Sequence, residues 1–115
     1  MLMISSSVRP AYVQTLRRNF VVNLEQGLHA RPCALIVKTL SRFRSRIEIA
    51  ANGEMANGRS IMSLMALAAG YESKIQFTIT GEDAPQAMLA VEGLFDSHFA
   101  DAYDRTRFHI AGAPR

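Results

Sequence analysis

The 115-residue sequence contains a single cysteine and no tryptophan. One cysteine excludes an internal disulfide framework and any metal site built from several cysteines. The three histidines, His29, His98 and His109, are too far apart in the sequence to form a metal-ligand motif. We therefore expect neither a bound metal nor another cofactor.

The sequence also lacks any apolar run that approaches the length of a membrane span. Met1 to Ile4 are apolar, but Ser5, Ser6, Ser7 and Arg9 follow, so this run is too short for the core of a secretory signal. The Arg and Ser content would suit a transit peptide, although we favour an added N-terminal tail. The sequence predicts a cytoplasmic protein without membrane insertion.

Lysine is scarce, with two lysines against eleven arginines, and the net charge of +3 is mild. Three of the arginines, Arg42, Arg44 and Arg46, are clustered in one short segment. We interpret this cluster as a solvated basic loop rather than a nucleic-acid patch. A basic face near the functional site would also suit acidic protein partners.

The length suits one domain with a modest core. Residues 1–17 show no sustained hydrophobic period and are predicted to form an N-terminal tail. Residues 102–115, which include Gly112 and Pro114, are predicted to form a C-terminal tail. The folded domain is therefore expected over residues 18–101.

Hydrophobic periodicity predicts seven elements in the order β-α-β-β-α-β-α. Alternating apolar residues indicate strands over 20–24, 46–50 and 75–80, and Asn52-Gly53 predicts a type I′ hairpin that returns as a short third strand. Helical spacing indicates helices over about 30–40, 61–68 and 84–101. Further expected features are an Asp83 cap on the third helix, closure of the second helix at Gly70, and close packing at Gly93. Amphipathic strands with three helices predict an α+β open-faced sandwich.

Gly27, His29, Arg31 and Pro32 stand where the first strand turns into the first helix. A helix N-terminus offers unpaired backbone N–H groups and a partial positive charge, which bind anions. These donors could hold the oxygens of a phosphoryl group on the imidazole of His29, and Arg31 could neutralise its charge. The spacing is equally compatible with a histidine that merely caps the helix.

The second predicted helix is apolar on nearly every side. If Leu64 and Leu67 face the core, then Ile61, Met62 and Met65 form an exposed apolar patch suited to protein binding. A fully buried helix is the weaker alternative for so small a domain. On the first helix, Leu35 lies off the buried stripe on the same side as Lys38, so both are further candidates for partner docking.

Two motifs resemble the HPr family, the histidine-containing phosphocarriers of the bacterial phosphotransferase system. The segment Gly27–Pro32 is similar to the family's active-site motif, and Asn57–Leu67 is similar to the segment around its regulatory serine. Their separation and the hairpin between them also match. The resemblance covers roughly residues 18–101 and implies a four-stranded antiparallel sheet with three helices on one face.

The resemblance further implies that His29 accepts a phosphoryl group on Nδ1 from phosphorylated enzyme I, which phosphoenolpyruvate charges. Arg31 matches the arginine that supports this group. The phosphoryl group would then pass to enzyme IIA-type acceptors for sugar transport. Such a protein is a carrier rather than an independent enzyme, and we expect a monomer.

Ser60 is predicted both as the N-cap of the second helix and, by resemblance, as the site phosphorylated by HPr kinase/phosphorylase in organisms that have that enzyme. About two added negative charges beside the apolar patch would repel an acidic partner. Cys33 departs from the small residue usual in the family. We expect it to pack as a small apolar group, although a helix N-terminus and Arg31 could instead lower its pKa.

Two alternatives to sugar transport remain. An HPr-like carrier in a nitrogen- or carbon-control relay would need the same His29 and the same docking face. A small RNA-binding domain with a similar order of elements is more distant, because it would need aromatic residues exposed on the central strands. Phe20 and Phe77 instead lie on the same strand faces as the aliphatic residues, where core packing is expected.

Overall fold

The computed structural model describes residues 13–100. Within this range the elements follow the expected order, and their bounds are β1 (Gln14–Val21), α1 (Ala30–Leu40), β2 (Arg46–Ala51), β3 (Glu54–Asn57), α2 (Ile61–Ala66), β4 (Lys74–Gly81) and α3 (Ala84–Asp96). The expected C-terminal tail, His109 and most of the expected N-terminal tail lie outside the described residues.

The four strands form one antiparallel sheet in the order β1-β4-β2-β3. β1 and β4 pair over their full lengths, from Gln14 opposite Gly81 to Val21 opposite Lys74. β2 and β4 alternate between buried and more exposed residues, so the sheet has one core face and one open face. The three helices of the described range pack on the core face, which confirms the open-faced sandwich.

The core is a single apolar cluster between the sheet and the helices. Phe77 lies at its centre, fully buried on β4, and its ring makes edge contacts with those of Phe20 and Phe95. Such contacts add about 1 kcal/mol beyond burial. Apolar residues at helical spacing on α1 and α3 face this cluster. Those that are buried are Cys33, Ile36, Leu40, Met88, Val91, Leu94 and Phe95.

Both ends of β1 differ from the predicted strand over 20–24, because the strand ends at Val21. The strand begins at Gln14, so residues 14–17, which the periodicity assigned to a tail, belong to the sheet. Arg18 hides the alternation, because it occupies a core-side position opposite Phe77. Its guanidinium reaches Glu92 of α3 at 2.7 Å, which allows a charged residue at that position.

The predicted end of α3 near residue 101 is also wrong, since the helix ends at Asp96. His98 and Phe99 both have a φ of 57°, and the N–H of Phe99 donates to the carbonyl of Leu94 at 2.7 Å. This turn brings the Phe99 side chain back into the core, where it is fully buried. Burial of an aromatic ring thus stabilises a backbone conformation that helical periodicity does not signal.

The type I′ turn at Asn52-Gly53 is confirmed by φ values of 54° and 78°. The expected closure of α2 at Gly70 is wrong: the left-handed residue that follows the helix is Ala68, with a φ of 54°. The Asn52 side chain stabilises this conformation of Ala68, since its amide donates to the carbonyls of Leu67 at 2.9 Å and Ala68 at 3.1 Å.

Asp83 and Gly93 each depart in part from the prediction for α3. Asp83 occupies the N-cap position, as predicted, but its carboxylate makes no capping hydrogen bond and instead binds the loop between α1 and β2. Gly93 is not required for close packing, because a Cβ placed there would have no neighbour within 4 Å among residues 13–100.

Candidate functional site

His29 occupies the N-cap position of α1, in an extended conformation with φ −94° and ψ −162°. Its carbonyl accepts the first hydrogen bond of the helix from the N–H of Cys33 at 3.1 Å. The imidazole itself does not cap the helix and is half-buried. The backbone of His29 therefore caps the helix, but its imidazole does not.

The loop that carries His29 rests on the chain that follows α2. The N–H of Leu28 donates to the carbonyl of Ala69 at 2.9 Å. Gly27 has a φ of +74°, and a Cβ at this position would lie 2.8 Å from the same carbonyl oxygen. Glycine is therefore required both for the backbone conformation and for the close approach.

The first turn of α1 provides anion donors next to the imidazole. Ala30 and Arg31 occupy its first two positions, where backbone N–H groups lie outside the helical hydrogen-bond ladder. Pro32 has no N–H and is buried, so it fixes the turn without adding an unpaired donor. The Arg31 side chain is exposed. A shallow depression of about 270 Å³, lined by Leu24, Glu25, Gln26 and His29, opens beside this turn.

Ser60 is the N-cap of α2, as predicted. Its Oγ accepts a hydrogen bond from the N–H of Ser63 at 3.1 Å, and the residue is half-buried. The carbonyl of Ser60 accepts the N–H of Leu64, which is fully buried and anchors the helix to the core. Ser60 is thus a structural residue whose hydroxyl already has a partner.

The expected exposure of the α2 residues is confirmed. Met62 is 80% exposed, Met65 42% and Ile61 38%, whereas Leu64 and Leu67 are buried. We call the three exposed residues, Ile61, Met62 and Met65, the α2 apolar patch. On α1, Lys38 is exposed, but Leu35 packs partly against the core and offers less surface than expected.

Cys33 is fully buried, and its thiol donates to the carbonyl of Leu28 at 3.5 Å. Burial raises the pKa of this thiol to about 11. The expectation of a quiet packing role is confirmed, and the alternative of a lowered pKa is wrong. Removal of the thiol from water disfavours its charged form.

Arg59 has a structural role that no sequence pattern indicated. Its guanidinium donates to three carbonyls, those of Leu40 at 3.2 Å and of Phe43 and Ser45 at 2.7 Å each. Leu40 is the last residue of α1, so Arg59 places a positive charge at the negative end of that helix. Only its position immediately before the N-cap serine could have drawn attention to it.

Comparison with known proteins agrees with this geometry. A family model described as "PTS HPr component phosphorylation site" matches residues 16–97. The phosphocarrier protein HPr of Treponema pallidum is 43% identical over 75 residues, which cover 65% of this chain and 85% of that protein. The multiphosphoryl transfer protein of Salmonella typhimurium is 43% identical over 79 residues, and the match spans 66% of this chain but 21% of that protein.

Solved structures give the same result. The crystal structure of HPr-C-His from Thermoanaerobacter tengcongensis superposes with a TM-score of 0.70 at 32% identity, covering 74% of this chain and 96% of that one. The crystal structure of the phosphocarrier protein HPr from Bacillus anthracis superposes with a TM-score of 0.62 at 41% identity, covering 66% of this chain and 90% of that one. The chain belongs to the HPr family of phosphocarriers of the phosphotransferase system. Among residues 13–100, no helix combines the length and the apolar character needed to cross a membrane.

Proposed function

We propose that this chain is a cytoplasmic phosphocarrier that accepts a phosphoryl group on His29 from phosphorylated enzyme I and passes it to enzyme IIA-type acceptors. The observation that carries the proposal is the position of His29 immediately before the first turn of α1, beside the backbone N–H groups of Ala30 and Arg31. Membership of the HPr family supports the same assignment.

The proposed transfer exchanges one phosphorus–nitrogen bond for another. The bond to the histidine of enzyme I breaks, its electron pair stays on that imidazole, and a new bond forms to Nδ1 of His29. The phosphoryl oxygens then face the N-terminus of α1, where N–H groups and the Arg31 guanidinium offset their charge. The reverse sequence of bond changes delivers the group to the acceptor, so the chain is a carrier rather than a catalyst.

The α2 apolar patch is the proposed docking surface for enzyme I and the acceptors. It is connected to His29, because the chain that leaves α2 supports the His29 loop through the Leu28–Ala69 hydrogen bond. Lys38, and the exposed part of Leu35, extend this surface onto α1. We expect Met62→Glu to weaken enzyme I binding and to leave the fold intact. Leu89→Glu is the matched control, since Leu89 is 66% exposed but lies on α3.

Ser60 is the proposed regulatory site, phosphorylated by HPr kinase/phosphorylase in organisms that have that enzyme. A phosphate at this helix N-terminus would be tolerated by the fold and would place about two negative charges beside the apolar patch. Ser60→Asp should therefore slow phosphoryl transfer to His29. An unchanged rate would contradict repulsion as the mechanism.

The decisive experiment incubates the protein with enzyme I and phosphoenolpyruvate and follows the intact mass. We expect one phosphate adduct that mild acid removes, as phosphohistidine is acid-labile and phosphoserine is not. His29→Ala should carry no adduct, and Arg31→Ala should gain it more slowly. An adduct of undiminished yield on His29→Ala would refute the assignment.

A carrier for nitrogen or carbon control, without sugar transport, is the alternative within the family. It would use the same His29 and the same α2 apolar patch, so the chain itself does not discriminate. Transfer assays from the phosphorylated protein to purified sugar-specific and regulatory acceptor domains would separate the two. We expect a monomer in either case, which size-exclusion chromatography would check.

A further inference from the structure

A second surface lies at the end of the molecule opposite His29. A groove of about 570 Å³ runs along the β2–β3 pair, lined by Arg46, Ile47, Glu48, Met55, Ala56, Asn57 and Arg59. β2 starts after the C-terminus of α1, whereas His29 stands at its N-terminus. The 11 residues of α1 span about 16 Å, so the groove is separate from the phosphoryl site.

The walls of this groove are positively charged. Arg46 stands at one side with its side chain 76% exposed, and Arg59 stands at the other, held in place by the carbonyls of Leu40, Phe43 and Ser45. Arg42 and Arg44 flank Phe43 in the loop that Arg59 binds, and both are exposed.

Among the residues of 13–100 that line the groove, Glu48 is the one acidic residue, and it pairs with Arg46 at 3.0 Å. Within the groove lining, two arginines thus stand against one glutamate, and Arg42 and Arg44 belong to the adjoining loop. Arginine forms paired hydrogen bonds with carboxylates, so the charge favours an acidic ligand.

β3 adds an apolar contact and a free strand edge. It is the last strand of the sheet, and within residues 13–100 no other strand pairs with its outer side. Met55, at its centre, is 66% exposed, which is unusual for a large apolar side chain on a sheet. An extended peptide can lie along such an edge and be bound by main-chain hydrogen bonds.

From these features we propose that the groove between Arg46 and Arg59 binds an extended acidic segment of a partner protein. A nucleic acid fits less well, because single strands bind by stacking on aromatic side chains. Within the described range, the strand aromatics Phe20 and Phe77 lie on the core side. Met55 gives the surface an apolar contact that a peptide side chain can use and a phosphate backbone cannot.

The test uses a ten-residue peptide of alternating Glu and Val, with ¹⁵N–¹H spectra of the full chain as the readout. We expect shifts concentrated at β3 and the start of β2, and an affinity that falls as salt is added. A peptide of alternating Lys and Val should leave these signals unchanged. Arg46→Gln and Met55→Ser should each weaken binding about threefold to fivefold. Arg17→Gln, on the same open face but on β1, should not.

The proposal is independent of the phosphocarrier function, so His29→Ala should bind the acidic peptide as well as the wild type does. Equal binding of the Lys peptide, shifts centred on the His29 loop, or no shifts would each overturn it. Tighter binding of a ten-nucleotide oligothymidylate than of the acidic peptide would overturn it in favour of a nucleic-acid surface. Urea unfolding of Arg46→Gln and Met55→Ser will verify that both variants are folded, as expected for such exposed positions.

Discussion

Asp83 and Ser45 join two distant parts of the chain. The Asp83 carboxylate accepts hydrogen bonds from both the backbone N–H of Ser45, at 3.0 Å, and its hydroxyl, and also from the N–H of Arg44 at 2.9 Å. Ser45 is only 2% exposed. The carboxylate before α3 thereby fixes the basic loop between α1 and β2.

Asp83→Ala should lower the free energy of unfolding by about 2 kcal/mol, because it leaves a buried N–H and a buried hydroxyl without their acceptor. Urea denaturation at pH 7 will measure the loss. Glu82→Ala is the control, since Glu82 is exposed and adjacent, and it should change stability little. Equal effects of the two substitutions would show that the Ser45 contacts contribute nothing.

Because of the same carboxylate, we expect the free energy of unfolding to depend on pH. The Ser45 hydroxyl, followed by the Arg44 N–H, holds the pKa of Asp83 below its ordinary value of 3.8. The contribution of Asp83 is therefore complete above that value and is lost as the pH falls through the lower pKa of the folded state. Wild type should lose more stability between pH 6 and pH 3 than Asp83→Asn does. Parallel losses in urea titrations would contradict this.

Arg59→Gln should lower stability by about 2 kcal/mol, since three carbonyls lose a charged donor and α1 loses a positive charge at its C-terminus. Thermal or urea unfolding will measure this. Arg44→Gln provides the comparison, because it removes an exposed arginine of the same segment and should cost less than about 0.5 kcal/mol. A larger loss of stability in Arg44→Gln than in Arg59→Gln would exclude the role of Arg59 at the end of α1.

Cys33 should react slowly in the folded protein. A pKa of about 11 instead of 9.0 reduces the thiolate fraction at pH 7 about a hundredfold. Iodoacetamide modification, followed by intact mass, should therefore be at least that much slower in buffer than in urea. Rapid native labelling would indicate an accessible, reactive thiol.

Two glycines should respond to alanine in opposite directions. Gly93 lies exposed within α3 with no neighbour for a Cβ, so Gly93→Ala should raise stability by about 1 kcal/mol. Gly58 lies against the Ile47 side chain and backbone, so Gly58→Ala should lower stability by about 1–3 kcal/mol. Urea midpoints will give both values, and a loss of stability in Gly93→Ala would mean that the position has a packing role.

Most of the fold followed from local chemistry. Alternation identified β2 and β4, Asn52-Gly53 identified the hairpin, and Ser60 marked the start of α2. These patterns can be recognised in the sequence because each depends on residues that are neighbours along the chain. The position of His29 at the start of the helix could be predicted for the same reason, because a glycine turn precedes the helix start and a proline follows it.

The features that were missed depend on contacts across the chain. Arg18 breaks the alternation of β1 because Glu92, on α3, pairs with it. Ala68 takes a glycine-like conformation beside an amide from Asn52, and Asp83 binds a loop 38 residues earlier. No local pattern reports such partners, so only a three-dimensional structure reveals them.

The hydrogen bond from Leu28 to Ala69 ties the position of the His29 loop to the length of the segment between α2 and β4. An insertion there would leave every element able to form, yet it would move the carbonyl on which the His29 loop rests. We therefore expect that the two motifs cannot be exchanged separately between relatives whose connecting segments differ in length. A chimaera would have to transfer Gly27–Pro32 and residues 57–73 together.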